Sequence, residues 1–199
     1  NPNIHSFLRG STTSSFSSFP QLSVYDIVKP LSGNVEEIVL SGSIKNHKSG
    51  GPLDVTITYP DGQSQNFVST LTNYGSYKSV ISINENSLSG SHKIELSHNN
   101  SPVGTISFVV SYPEIPNWIK NNAKQWSSTS ISDSELIGGI EYLIEEGFII
   151  PSPKPNSISE QKIPNWMKNN AKWWTDNKIS DEDFVKSIQY LIKKGIIRV

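Results

Sequence analysis

The stretch IPNWIKNNAKQW at residues 115–126 returns as IPNWMKNNAKWW at residues 163–174, 48 positions further along the chain. The two stretches contain all five tryptophans of the protein. The similarity extends beyond them, because residues 115–150 and 163–198 align without a gap and are identical at 19 of 36 positions. An internal repeat of this kind is one structural unit used twice, and it determines the architecture of the C-terminal half.

Each copy predicts a helical hairpin of about 36 residues. The first helix of each copy begins at an Ile-Pro pair, since proline suits the first helical turn. The second helix begins at a capping box, Ser132 with Glu135 in one copy and the shorter Ser180 with Asp183 in the other, and ends before a glycine. Four tryptophans fall on the apolar stripe of the first helices and are expected to form the core of the repeats: Trp118, Trp126, Trp166 and Trp174.

Trp173 has a different role in this scheme. It adjoins Trp174, so the two side chains cannot both face one core, and its counterpart in the first copy is Gln125. We therefore expect Trp173 to be a contact residue at a boundary between domains or subunits.

The two copies differ in charge. Residues 115–150 carry two lysines and five acidic residues (net −3), whereas residues 163–199 carry seven basic and four acidic residues (net +3). The inversion is sharpest where Glu145 and Glu146 align with Lys193 and Lys194. Either these are solvated faces of similar helices, or the charges select a pairing of the copies, within one chain or between subunits.

Residues 21–112 predict a different fold class. Apolar residues alternate with polar ones, as in Leu53, Val55 and Ile57, and turn signals such as Asp61-Gly62 separate about seven short strands. This spacing indicates an antiparallel β-sandwich. The fold prediction is therefore an all-β immunoglobulin-like sandwich followed by an all-α region of two repeated helical hairpins.

The segments around these domains are rich in serine. Residues 1–20 form an extended N-terminal arm that contains Phe7, Phe16 and Phe19, and it is either a flexible leader or a segment that docks on a neighbouring subunit. The predicted boundaries are 1–20 for the arm, 21–112 for the sandwich, 113–150 for the first hairpin, 151–162 for a Pro/Ser-rich linker and 163–199 for the second hairpin.

Two resemblances bear on function. The order of Gly42, then Gly75-Ser76-Tyr77, then Gly90-Ser91-His92 resembles that in immunoglobulin-like modules of prokaryotic surface proteins. The pattern IPxWxKNNAxxW…ISDxxFxxxIxYLIxxGII resembles a repeat at the C-termini of exported proteins of ammonia-oxidising archaea. The second copy matches it fully, and the first has Gln125 and Leu136 at two of its positions. The resemblance implies an archaeal cell-surface setting and no catalytic residues.

Composition and motifs point away from an enzyme. The formal net charge of −1 lacks the basic excess that nucleic-acid binding calls for, and without cysteine there is no thiol chemistry. The four histidines are scattered, so we predict no metal site, no cofactor and no catalytic residues. No apolar run is long enough to span a membrane, and Asn99 lies in a glycosylation sequon on a predicted turn.

The sequence thus predicts a non-enzymatic, extracellular or cell-surface protein, in its mature form after removal of a signal peptide, because the chain opens at Asn1 without an initiator methionine. Self-association into a filament, pilus or envelope layer through the arm and the repeats is the leading interpretation. The alternatives are a glycan- or protein-binding module that uses exposed tryptophans, and a secreted accessory subunit of a membrane complex.

Overall fold

The structure is a computed structural model that describes residues 19–45, 47, 51–150 and 163–198. Most of the predicted N-terminal arm, with Phe7 and Phe16, lies outside the described residues, as does the predicted linker 151–162. Phe19 is described and exposed, and Pro20 beside it is buried, with its ring against Gly104. The sandwich therefore includes Pro20, which the predicted boundary had assigned to the arm.

Eight strands form the N-terminal part: β1 Gln21–Leu22, β2 Asp26–Val28, β3 Val35–Ser43, β4 Leu53–Thr58, β5 Ser64–Ser69, β6 Ser76–Asn84, β7 Gly90–His98 and β8 Ser101–Ser111. They make a three-stranded sheet in the order β1-β3-β6 and a five-stranded sheet in the order β2-β8-β7-β4-β5. All neighbours are antiparallel except β2, which runs parallel to β8. Strand β1 thus belongs to the three-stranded sheet and β2 to the five-stranded sheet. Together the two sheets form an immunoglobulin-like sandwich.

The predicted alternation is confirmed in the strands. Leu53, Val55 and Ile57 of β4 point into the core between the sheets, and the residues between them point outward. The turn between β7 and β8 consists of Asn99 and Asn100, both with positive φ, as a tight two-residue hairpin requires.

Four helices follow the strands: α1 Asn117–Ser127, α2 Asp133–Glu145, α3 Asn165–Thr175 and α4 Asp181–Lys193. Both predicted capping boxes are present at the starts of α2 and α4, and Gly147 and Gly195 follow these helices with φ of +79° and +71°. Among the described residues, no helix has the length and apolarity needed to cross a membrane.

The helices share one hydrophobic core, which draws buried residues from both copies of the repeat. Helix α1 packs against α2 and α3 against α4, and the contact between the copies runs through α1 and α3. The two copies of the repeat therefore pack against each other within one chain, which the sequence had left open. A short helix pair has too small a core of its own, and the second copy completes it.

Candidate interaction surfaces

Two tryptophans lie at the centre of the helical core. Trp126 and Trp174 are fully buried, and each indole donates its N–H to the aspartate at the start of the next helix. The Nε1–Oδ1 distances are 2.8 Å from Trp126 to Asp133 and 2.6 Å from Trp174 to Asp181. Each bond ties the end of one helix to the beginning of the next and satisfies the one polar atom of a buried indole.

The contacts between the copies are reciprocal. The ammonium group of Lys120 lies 5.5 Å from the ring centre of Trp174, and the ammonium group of its counterpart Lys168 lies 5.3 Å from the ring centre of Trp126. Such exchange of equivalent partners is the mark of an approximate two-fold axis. The tandem repeat is thus an internal dimer whose matching surfaces, α1 and α3, are covered by each other.

The prediction that all four stripe tryptophans belong to the core is wrong for Trp118 and Trp166, which are 44% and 42% exposed. The buried positions are taken by Ile119 and Met167, seven residues before Trp126 and Trp174. Seven residues bring a helix back to nearly the same side, whereas eight residues leave a side chain about 80° away. The buried stripe of α1 and α3 therefore begins one residue later than the sequence predicted, at Ile119 and Met167.

Each half-exposed tryptophan contacts a tyrosine of the next helix. The ring centres of Trp118 and Tyr142 are 5.0 Å apart, and those of Trp166 and Tyr190 are 6.5 Å apart. Trp173 is also exposed, at 47%, and lies seven residues after Trp166 on the same side of α3. Its exposure leaves it available as a contact residue, and its position adds a third aromatic ring to the surface of the second copy.

Glu145, Glu146, Lys193 and Lys194 are all exposed at the C-terminal ends of α2 and α4. Among the ion pairs of the described residues, none joins the two glutamates to the two lysines. Within one chain these inverted charges therefore do not pair with one another, and their role in selecting a contact between copies stays a prediction. The copies meet through buried apolar residues of α1 and α3, with Lys120 of the first copy 3.9 Å from Asp181 of the second, and the inverted charges remain on the outside.

Sequence reasoning missed the junction between the sandwich and the helices. Lys29, which follows β2, is almost fully buried and donates both to the carboxylate of Glu182 in α4 and to the carbonyl of Ser87, each at 3.0 Å. Lys186 also pairs with Glu182, at 3.2 Å, and the ring of Tyr112 lies under the Lys29 ammonium group. These groups line a cavity of about 220 Å³ between the two parts. The lysine and the glutamate are 153 residues apart, and neither lies in a motif that would have pointed to the other.

The charges at this junction act on the carboxyl of Glu182. Burial opposes its ionisation, but the nearby hydroxyl of Ser89, the hydrogen bonds from Lys29 and Lys186 and the positive charge of Lys29 outweigh burial and lower its pKa below the ordinary value. Glu182 is therefore ionised at neutral pH, and the junction is held by a partly buried, hydrogen-bonded ion pair.

The two buried histidines of β7 are held by packing and hydrogen bonds within the sandwich. His92 and His98 are buried on the inner side of β7, and the ring of His92 stacks on Phe108 with 4.7 Å between ring centres. Burial lowers the pKa of His92, although a hydrogen bond with the Gly90 carbonyl and the charge of Asp61 oppose this. Within the described part of the chain, no three histidine or carboxylate side chains are grouped as a metal site would require.

Asn99 lies in the exposed turn as predicted, but its amide nitrogen is 3.1 Å from Nε2 of His98 and its amide oxygen is close to Gly51. The nitrogen that a glycan would modify is thus engaged by the protein itself. Modification would require this side chain to turn outward.

The outer edges of the sandwich differ in length. On one side lie β1 and β2, of two and three residues, and on the other lie β5 and β6, of six and nine residues. Residues 69–72 cover part of the outer edge of β6, since Leu71 forms an isolated bridge with Tyr77 and the Thr72 N–H donates to the Ser76 carbonyl at 2.9 Å. Val68 and Val80, both exposed, lie on these two long edge strands. Long, nearly uncharged edge strands are the ones that accept an added strand.

Comparison with known proteins adds little. No family model matches the sequence, and no curated protein does. A solved immunoglobulin-like protein from Pseudomonas aeruginosa is 14% identical, with a TM-score of 0.35 over 48% of this chain and 94% of its own. The alkylpurine DNA glycosylase AlkC of Pseudomonas fluorescens is 13% identical, with a TM-score of 0.36 over 49% of this chain and 30% of its own. The adhesin InvE of Yersinia pseudotuberculosis is 15% identical, with a TM-score of 0.30 over 51% of this chain and 29% of its own. At such values nothing about activity transfers to this protein.

Proposed function

We propose that this protein is a non-enzymatic, exported cell-surface protein that works by self-association, as a subunit of an extracellular filament, pilus or envelope layer. The observation that carries the proposal is the set of large aromatic side chains left half exposed on a helical core that is already complete. Trp118, Trp166 and Trp173 lie outside the buried core of the helices, and exposed tryptophans of this kind are enriched where proteins meet.

The long edge strands β5 and β6 support a second contact, with the N-terminal arm of a neighbouring copy. Strand addition joins subunits through backbone hydrogen bonds, while side chains of the added strand fill pockets. In this proposal the arm of one copy adds to an edge strand of the next, and Phe7, Phe16 and Phe19 are its anchors.

The test is the size of the purified full chain by analytical ultracentrifugation over a range of concentrations. We expect large assemblies, and we expect deletion of residues 1–18 to reduce their size while circular dichroism of the folded sandwich stays unchanged. A matched variant keeps the arm at full length and replaces Phe7, Phe16 and Phe19 by serine. A chain that stays monomeric at all concentrations would rule the proposal out.

The alternative is a glycan-binding module, which the aromatic surface formed by Trp166, Trp173 and Tyr190 favours. A monomer retained on polysaccharide, with retention lost in Trp173→Ser, would replace self-association by this alternative.

A further inference from the structure

The outer surface of the helical region carries two equivalent faces of opposite charge. The acidic face consists of Trp118, Tyr142, Glu145 and Glu146, and the basic face consists of Trp166, Tyr190, Lys193 and Lys194. Each residue of one face is the repeat counterpart of a residue of the other, because the repeat offset is 48 positions throughout.

Each face combines an aromatic centre with charges at its border. Residues three and four positions apart lie on the same side of a helix, so the charged pair that follows each tyrosine is beside it. On the basic face this is visible directly, since the ammonium group of Lys194 lies 5.7 Å from the ring centre of Tyr190. Tyr190 is itself half exposed, as is its neighbour Trp166.

Neither face is used by the pairing within the chain. That contact runs through α1 and α3 and involves Trp126, Trp174 and the lysines over them. The two charged faces are thus left on the outside of one molecule, related by the approximate two-fold axis and opposite in charge.

We propose that the acidic face of one copy docks on the basic face of a second copy, so that copies add head to tail. This inference rests on the proposed self-association and names one of its contacts. Two acidic faces would bring four glutamates together and two basic faces four lysines, so like faces repel and unlike faces attract. A contact between two different faces of the same molecule does not close on itself, and unless it forms a ring it continues into a filament.

Trp173 is a second difference between the two faces, in addition to their charge. It extends the aromatic surface of the basic face along α3, whereas the corresponding position beside the acidic face is Gln125. In a head-to-tail contact Trp173 can cover the partner's Trp118 and Tyr142, which have no third ring of their own. Trp173 is therefore expected to lie inside the contact, with the charges at its border.

The test uses two double variants of the full chain. Glu145→Lys with Glu146→Lys makes both faces basic, and Lys193→Glu with Lys194→Glu makes both faces acidic. We expect each variant alone to associate at least about tenfold more weakly than the wild type, because two attractive pairs become repulsive. Mixed in equal amounts, the two variants should assemble again, since every contact then joins a basic face to an acidic one.

Two further chains complete the experiment, with sedimentation velocity as the measurement and circular dichroism as the check of folding. The quadruple variant, in which the faces exchange their charges, should assemble alone like the wild type. The control is Lys45→Glu with Lys93→Glu, which makes the same change of net charge as Lys193→Glu with Lys194→Glu at exposed positions of the sandwich outside β5 and β6, and it should assemble normally.

The outcomes separate this inference from the proposed function. If the wild type assembles and the double variants assemble equally well, or if neither the mixture nor the quadruple variant recovers, the head-to-tail contact is wrong while self-association stands. If the wild type does not assemble at any concentration, both fail.

Discussion

The loop between α1 and α2 and the equivalent loop between α3 and α4 allow a test of the internal symmetry. Thr129 and Asn177 occupy equivalent positions, and both have left-handed backbones, with φ of 62° and 56°. Asparagine tolerates this conformation because its short polar side chain bonds locally, whereas the β-branched side chain of threonine is strained there. Replacing Thr129 by asparagine should therefore stabilise the helical region.

The expected magnitude has two parts. A residue held in an unfavourable backbone region costs on the order of 1–3 kcal/mol, and asparagine should remove about 1 kcal/mol of that. In the second copy the amide oxygen of Asn177 also accepts a hydrogen bond from Lys120, at 2.9 Å. By symmetry the new asparagine would accept from Lys168, which adds roughly 0.5 kcal/mol at an exposed site. Together they predict an increase of about 1.5 kcal/mol in the free energy of unfolding, or a rise of roughly 3–6 °C in Tm.

Tryptophan fluorescence in a urea titration is the assay, because all five tryptophans lie in α1 and α3 and so report on the helical region alone. Thr129→Gly is the companion variant, which relieves the backbone without supplying an amide and separates the two parts of the effect. The reciprocal change, Asn177→Thr, should destabilise by a similar amount. If Thr129→Asn were neutral or destabilising while Asn177→Thr had no effect, the shared loop geometry would be wrong.

Three further outcomes are expected. Trp126→Phe, and equally Trp174→Phe, should lower the free energy of unfolding by about 1–3 kcal/mol in the same titration, because the hydrogen bond from the buried indole to the aspartate and part of the packing in the core are lost. Lys29→Met should destabilise the junction by about 2–3 kcal/mol, seen in calorimetry as separate unfolding of sandwich and helices, while Lys29→Met combined with Glu182→Leu should restore most of the loss. The pKa of Glu182 is lowered in the folded protein, so the stability that this carboxylate provides is complete above its unfolded pKa, near the ordinary value of 4.5, and is lost as the pH falls through the folded pKa. Glu182→Gln should therefore remove this part of the pH dependence of stability between pH 5 and pH 3. An unchanged pH dependence would contradict the role of Glu182.

The sequence by itself determined those features of the fold that are local or periodic. The alternation in the strands, the capping boxes at Ser132 and Ser180 and the glycines after α2 and α4 each depend on residues a few positions apart. Backbone geometry relates such residues directly, so their pattern can be interpreted from the sequence without the tertiary structure. The repeat belongs here as well, since its two copies are compared residue by residue.

What only the tertiary structure decided depends on packing between distant parts. The choice of Ile119 over Trp118 for the core is a rotation of α1 by about one residue, and both registers are amphipathic. That rotation is settled by the second copy, whose Lys168 and α3 close over Trp126. The junction of Lys29 with Glu182 was equally beyond the sequence, because a buried ion pair across 153 residues forms only where the fold removes both charges from water together. The outward position of Glu145 and Lys193 follows from the same packing, since α2 and α4 turn their apolar sides to the shared core and leave these two charged side chains in solvent.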